Sequence, residues 1–86
     1  MTQGRRVYPT RESPIPVTEP GDYGQDNTGR WWVIPPKPGI AGGVLTLHGI
    51  ELHEDGTITV TGSILLPGHH GASWHGYLER GEWREV

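Results

Sequence analysis

The sequence predicts an all-β fold: a small antiparallel sandwich or partly open barrel of about five strands, preceded by an irregular Pro-rich N-terminal arm. Three observations carry this. Ile50, Leu52, Ile58 and Val60 alternate with Glu51, His53, Thr57 and Thr59, the period-two pattern of strands with one buried face. Short polar turns ending in glycine, Glu54-Asp55-Gly56 and Glu79-Arg80-Gly81, interrupt the apolar runs. No stretch carries apolar residues at helical spacing.

Residues 1–29 form the arm and residues 30–86 the β domain. Pro9, Pro14, Pro16 and Pro20 forbid a regular helix in the arm and disfavour a central strand. The plain expectation is an extended or disordered leader. The sharper one is that Val7-Tyr8 or Ile15-Pro16-Val17 docks on a sheet edge or on a partner. Gly21-Asp22-Tyr23-Gly24 and Asp26-Asn27-Thr28-Gly29 read as solvated turns. Their acidic residues lack the ligand series of an EF-hand calcium loop.

Arg30 to Ile34 is the first convincing strand. Trp31 and Trp32 must point to opposite faces, one into the core and the other half exposed or covered by the arm. Pro35-Pro36-Lys37-Pro38-Gly39 ends pairing, and Gly42-Gly43 marks a second loop. Leu45 and Leu47 differ in parity from Ile50 and Leu52. A bulge at Gly49 would bring all four inward and turn His48, Glu51 and His53 outward. The three-residue loop Glu54-Asp55-Gly56 then sets His53 against Thr57, Glu51 against Thr59 and Ile50 against Val60.

Gly62 bends the strand, so that one long strand running on into Ile64-Leu65-Leu66 crosses to a second sheet or closes a small barrel. Pro67 to Ser73 is a loop. Trp74 to Leu78 and Glu82 to Val86 make a second hairpin. A three-residue turn there sets Leu78 against Glu82, Tyr77 against Trp83 and His75 against Glu85. Trp74 and Leu78 then share one face, and His75, Tyr77 and Trp83 the other.

Composition bounds the function. With 86 residues there is room for one domain, which buries roughly 60–65 % of its unfolded surface. There is no Phe, so four Trp and three Tyr supply the aromatic bulk. The absence of Cys excludes disulfides, a Cys-type zinc site and a thiol nucleophile. A net charge of −3 disfavours a nucleic-acid backbone as main partner. No apolar run approaches the roughly 20 residues of a membrane helix, and no signal-peptide core is present, so a cytoplasmic location is expected.

The aromatic set is the leading candidate site. Trp31, Trp32, Trp74, Tyr77 and Trp83 exceed what an aliphatic hairpin needs. Either they fill the core of a Phe-free domain or some form an exposed patch. Trp, Tyr and Arg often contribute about 2 kcal/mol or more each at interfaces. A protein partner fits better than a sugar, for which a row of amide or carboxylate donors is missing after Asn27. Five His invite a second hypothesis, a metal held by His48, His69, His70 and His75. Adjacent His69 and His70 seldom ligate one ion together, and no paired-ligand motif is present. Ser63 and Ser73 are the only candidate nucleophiles after the arm, without a nucleophile elbow around either. Exposed edges leave a homodimer by strand pairing as a further option.

Glu54-Asp55-Gly56-Thr57-Ile58-Thr59-Val60, Ser63-Ile64-Leu65 and Trp74-His75-Gly76-Tyr77-Leu78 resemble a small family of proteins of unknown function from actinobacteria and their phages. Gly21-Asp22-Tyr23 and Gly29-Arg30-Trp31-Trp32 fit the same pattern, so the resemblance covers Gly21 to Trp83. The family is associated with Ser-Pro-Ser where this chain has Thr61-Gly62-Ser63, a departure that argues against catalysis by the first two positions. Some broader relatives carry Cys clusters, so no metal role transfers to a Cys-free chain. The resemblance implies a phage or prophage origin, in the host cytoplasm, and supplies no reaction. Together these readings lead to the expectation of a non-enzymatic module, without cofactor, that binds a host or phage protein through a sheet edge or an aromatic patch. A His-based metal-binding protein is the alternative.

Overall fold

A computed structural model describes residues 1–86, except for the side chain of His69. The chain is all-β, with strands β1 (Thr2–Gln3), β2 (Arg5–Arg6), β3 (Asp22–Gln25), β4 (Trp31–Val33), β5 (Gly43–Val44), β6 (Ile50–Leu52), β7 (Ile58–Val60), β8 (Ile64–Pro67), β9 (Ser73–Glu79) and β10 (Glu82–Glu85). One four-stranded sheet runs β1-β10-β9-β8, another β2-β3-β4-β5, and β6-β7 is a separate hairpin. Pairing is antiparallel except between β2 and β3. The sheets enclose one core in a small sandwich: Tyr23, Trp31, Val33, Ile40, Leu45, Ile58, Val60, Ile64, Trp74, Leu78 and Trp83.

The first hairpin has the expected register: Ile50 faces Val60 and Glu51 faces Thr59, and the His53 N–H donates to the Thr57 carbonyl at 2.9 Å. Gly56 takes the left-handed conformation, φ 88°. The Asp55 carboxylate accepts from the Thr57 N–H and hydroxyl, which pins the turn. Gly62, φ 86°, carries the chain from this hairpin into the other sheet at β8.

The continuous strand from Leu45 to Leu52 does not form. The chain bends at residues 46–48 and β6 starts only at Ile50. Leu45 is buried, with its N–H on the Trp31 carbonyl. Leu47 and Leu52 are 96 % and 58 % exposed rather than inward. His48 and His53 correct the other way, because each is half-buried and finds a partner in the fold: the Ser63 carbonyl and the Thr59 hydroxyl.

The second hairpin is shifted by one residue. Arg80 joins Gly81 at positive φ, 47° and 77°, so the loop has two residues, in the manner of a type I′ turn. Glu82 therefore faces Glu79, Trp83 faces Leu78, and Arg84 faces Tyr77. A one-residue slip moves every side chain of a strand to the other face. Trp83 accordingly sits on the inner face with Trp74 and Leu78, not with His75 and Tyr77.

The first 29 residues contribute to both sheets. β1 pairs with β10, β2 pairs with β3, and the Val7 N–H donates to the Tyr23 carbonyl. Pro16 and Val17 are buried. Gly21 to Gly24 is not a solvated turn, since Asp22 and Tyr23 are each 1 % exposed in β3. A buried carboxylate needs partners. Asp22 has Arg5 Nε and Nη2 at 2.8 and 2.9 Å, and the Thr18 and Glu19 N–H groups at 3.1 and 3.0 Å. Burial opposes its ionisation most strongly, but the Arg5 hydrogen bonds, the two amides and the Arg5 charge together outweigh it. The carboxyl is held below its usual range. Arg6 ties the arm across the domain: its guanidinium lies 4.7 Å from the Tyr8 ring and 4.8 Å from the Trp31 ring, and Nη1 donates to the Gly56 carbonyl.

Candidate functional site

β9 alternates strictly. Trp74, Gly76 and Leu78 are buried, whereas Ser73, His75 and Glu79 are exposed and Tyr77 is half-buried. Gly76 leaves room for its neighbours, since a Cβ there would lie 2.5 Å from the Trp74 ring and 2.3 Å from the Arg84 carbonyl. Strand pairing extends this division across the sheet. Leu65 faces His75, the Val86 N–H donates to the His75 carbonyl, and Arg84 faces Tyr77. Residues directly opposite share a face. The outer face therefore presents Leu65, His75 and Val86 in one row, with Tyr77 and Arg84 in the next.

Leu65 and Val86 are 67 % and 72 % exposed. The Arg84 guanidinium lies 4.5 Å from the Tyr77 ring centroid and its Nη2 donates to Glu79 Oε1 at 3.1 Å. The exposed ion pair adds little energy. With the cation–π contact it holds Arg84 over the Tyr77 ring, giving an aromatic and cationic surface beside exposed aliphatic groups.

The remaining aromatic candidates lie elsewhere. Trp74 and Trp83 are 2 % and 1 % exposed, and Trp31 is also core, so none of the three offers contact area. Trp32 is half-buried, its Nε1 donating to Asp26 Oδ2 at 2.8 Å. The Asp26 carboxylate also accepts from the Thr28 hydroxyl and from the Thr28 and Arg30 N–H groups. These bonds, the Thr28 hydroxyl first and Trp32 next, hold it far below the usual carboxylate range. Both its oxygens are thus occupied, Oδ1 by Thr28 and Arg30 and Oδ2 by Trp32.

The histidines do not converge. His70 and His75 are exposed and His48 is half-buried, while the side chain of His69 lies outside the described residues. Among the described residues no group of three His, Cys, Asp or Glu is placed to hold a metal. His48 Nε2 donates to the carbonyl of Ser63 rather than approaching its hydroxyl, and Ser73 uses its carbonyl to accept from Lys37 Nζ.

Leu65 and Arg84 were missed as surface residues. The signal for Leu65 was present: in Ile64-Leu65-Leu66 the middle side chain must oppose its neighbours. Arg84 could be placed only once the turn length was known. No helix of the described residues is long and apolar enough to cross a membrane. Comparison with protein-family models, curated proteins and solved structures finds no match for this chain.

Proposed function

We propose that the chain is a non-enzymatic interaction module that binds a protein partner through the outer face of β8, β9 and β10, centred on Tyr77. The observation that carries this reading is the Tyr77–Arg84 stack beside Leu65. The inner face of that sheet is already filled by Trp74, Leu78 and Trp83, so the outer apolar groups add nothing to the core. Tyr and Arg are the residue types that concentrate binding energy at interfaces, especially where neighbours exclude water around them. A phage or prophage setting, with a host or phage protein as partner, rests on the resemblance of the EDGTITV and WHGYL runs.

The test is affinity capture from an actinobacterial lysate with immobilised protein. The reading expects one protein recovered by the unaltered chain and lost with Tyr77→Ala or Leu65→Ser, each retaining its near-ultraviolet circular dichroism. A partner held equally by both variants, or no partner at all, contradicts it.

A further inference from the structure

The β6–β7 hairpin has a free edge. The His53–Thr57 and Gly49–Thr61 hydrogen bonds fix which residues of the ladder bond across it. Glu51 and Thr59 form the bonded pair between them, so Ile50 and Leu52 direct their N–H and C=O groups away from β7. Among the described residues no strand pairs with β6 on that side. The other free edges are blunted: β1, β2 and β5 have two residues each, β8 ends in Pro67, and on the outer side of β7 the Ile58 carbonyl already accepts from the Gly81 N–H. β6 carries neither proline nor lysine, the usual guards of an exposed edge.

Its surroundings are acidic. Glu51, Glu54 and Asp55 are all exposed, and residues 50–60 contain no Lys or Arg. At the end of the edge lies a recess of about 440 Å³ lined by Glu51, Leu52, His53, Glu54, Asp55 and Arg80. A second copy is a poor occupant. Pairing β6 with itself would bring two sets of these carboxylates together, and like charges across a ladder repel.

We propose that β6 accepts an extended basic peptide as an added strand, its backbone bonding to Ile50 and Leu52 and its lysine or arginine side chains reaching Glu51 and Glu54. Main-chain bonds supply affinity in this mode, and flanking charges supply selectivity. With only three residues on the edge, binding is transient and sensitive to salt. The proposal goes beyond the outer-face reading and uses different strands.

The test is a ¹H–¹⁵N titration of the full chain with a blocked, alternating lysine–valine peptide, and with the glutamate–valine peptide as comparison. The largest shifts are expected at Ile50 and Leu52, whose amides gain protection from exchange, and only with the basic peptide. Glu51→Lys combined with Glu54→Lys weakens binding at least about tenfold. Leu52→Pro also weakens it; that variant removes an outward N–H but no bond to β7, so the hairpin survives. Tyr77→Ala leaves the titration unchanged, which separates this site from the outer face. Equal response to both peptides, shifts centred on Leu65 and Tyr77, or concentration-dependent self-association through Ile50 and Leu52 would overturn the proposal.

Discussion

Trp74 and Trp83 meet edge to face inside the domain, ring centroids 5.2 Å apart and planes at 87°. Trp83 also donates from Nε1 to the Gly21 carbonyl at 2.9 Å, a buried bond from β10 to the residue that precedes β3. One side chain thus joins the two sheets by packing and by a hydrogen bond. Trp83→Ala removes both and should cost about 3–5 kcal/mol in urea unfolding, the range for buried Trp or Phe truncations. Trp83→Phe keeps much of the packing but leaves the Gly21 carbonyl without its donor, and should cost less than the alanine variant.

Gly81 and Gly62 should respond differently to alanine, although both have positive φ. At Gly62 a Cβ meets open space, so only the left-handed backbone penalty applies, about 1–2 kcal/mol. At Gly81 the same Cβ would lie 2.7 Å from the Tyr23 hydroxyl oxygen and 2.9 Å from Thr57 Cγ2. Tyr23 is buried and cannot step aside. Gly81→Ala should therefore lose clearly more stability than Gly62→Ala, as measured by paired chemical denaturation curves.

The turns at Gly56 and Gly81 mark where the sequence could and could not be read. Glu54-Asp55-Gly56 and Glu79-Arg80-Gly81 look alike, yet only the first is a three-residue loop. The difference is Arg80, which takes a left-handed conformation that its residue type does not advertise. The hydrophobic pattern held the answer, because only the two-residue loop sets Leu78 against Trp83 rather than against Glu82. β3 was illegible for another reason. Asp22 and Gly24 are weak strand formers, and the buried Asp22 is satisfied by the nearby Thr18 and Glu19 amides together with Arg5, a partner far off in sequence. Of the outer face, Tyr77 was legible, whereas Leu65 and Arg84 depended on pairing that no local run encodes.

Acid should unfold the domain through its carboxylates. Asp22, Asp26 and Asp55 all lie below the usual carboxylate range in the folded chain. An unfolded chain then binds protons first as pH falls, so the stability these groups contribute is complete above about pH 4 and declines as pH drops through their folded values. Unfolding free energy should fall steeply below about pH 4. Asp22→Ala leaves the Thr18 and Glu19 amides without acceptors and frees Arg5, and should cost about 2–4 kcal/mol at neutral pH. Its acid transition should be shallower than that of the unaltered chain.

Interstrand nuclear Overhauser effects across β9 and β10 decide which face the C-terminal hairpin turns to solvent. With Arg80-Gly81 as a two-residue loop, the Hα protons of Leu78 and Trp83 lie close together, as do those of Gly76 and Glu85, and the Trp83 indole N–H exchanges slowly. A cross-peak between the Hα protons of Tyr77 and Trp83, with a rapidly exchanging Trp83 indole, would place Trp83 outside and remove the surface built around Tyr77, Arg84 and Leu65.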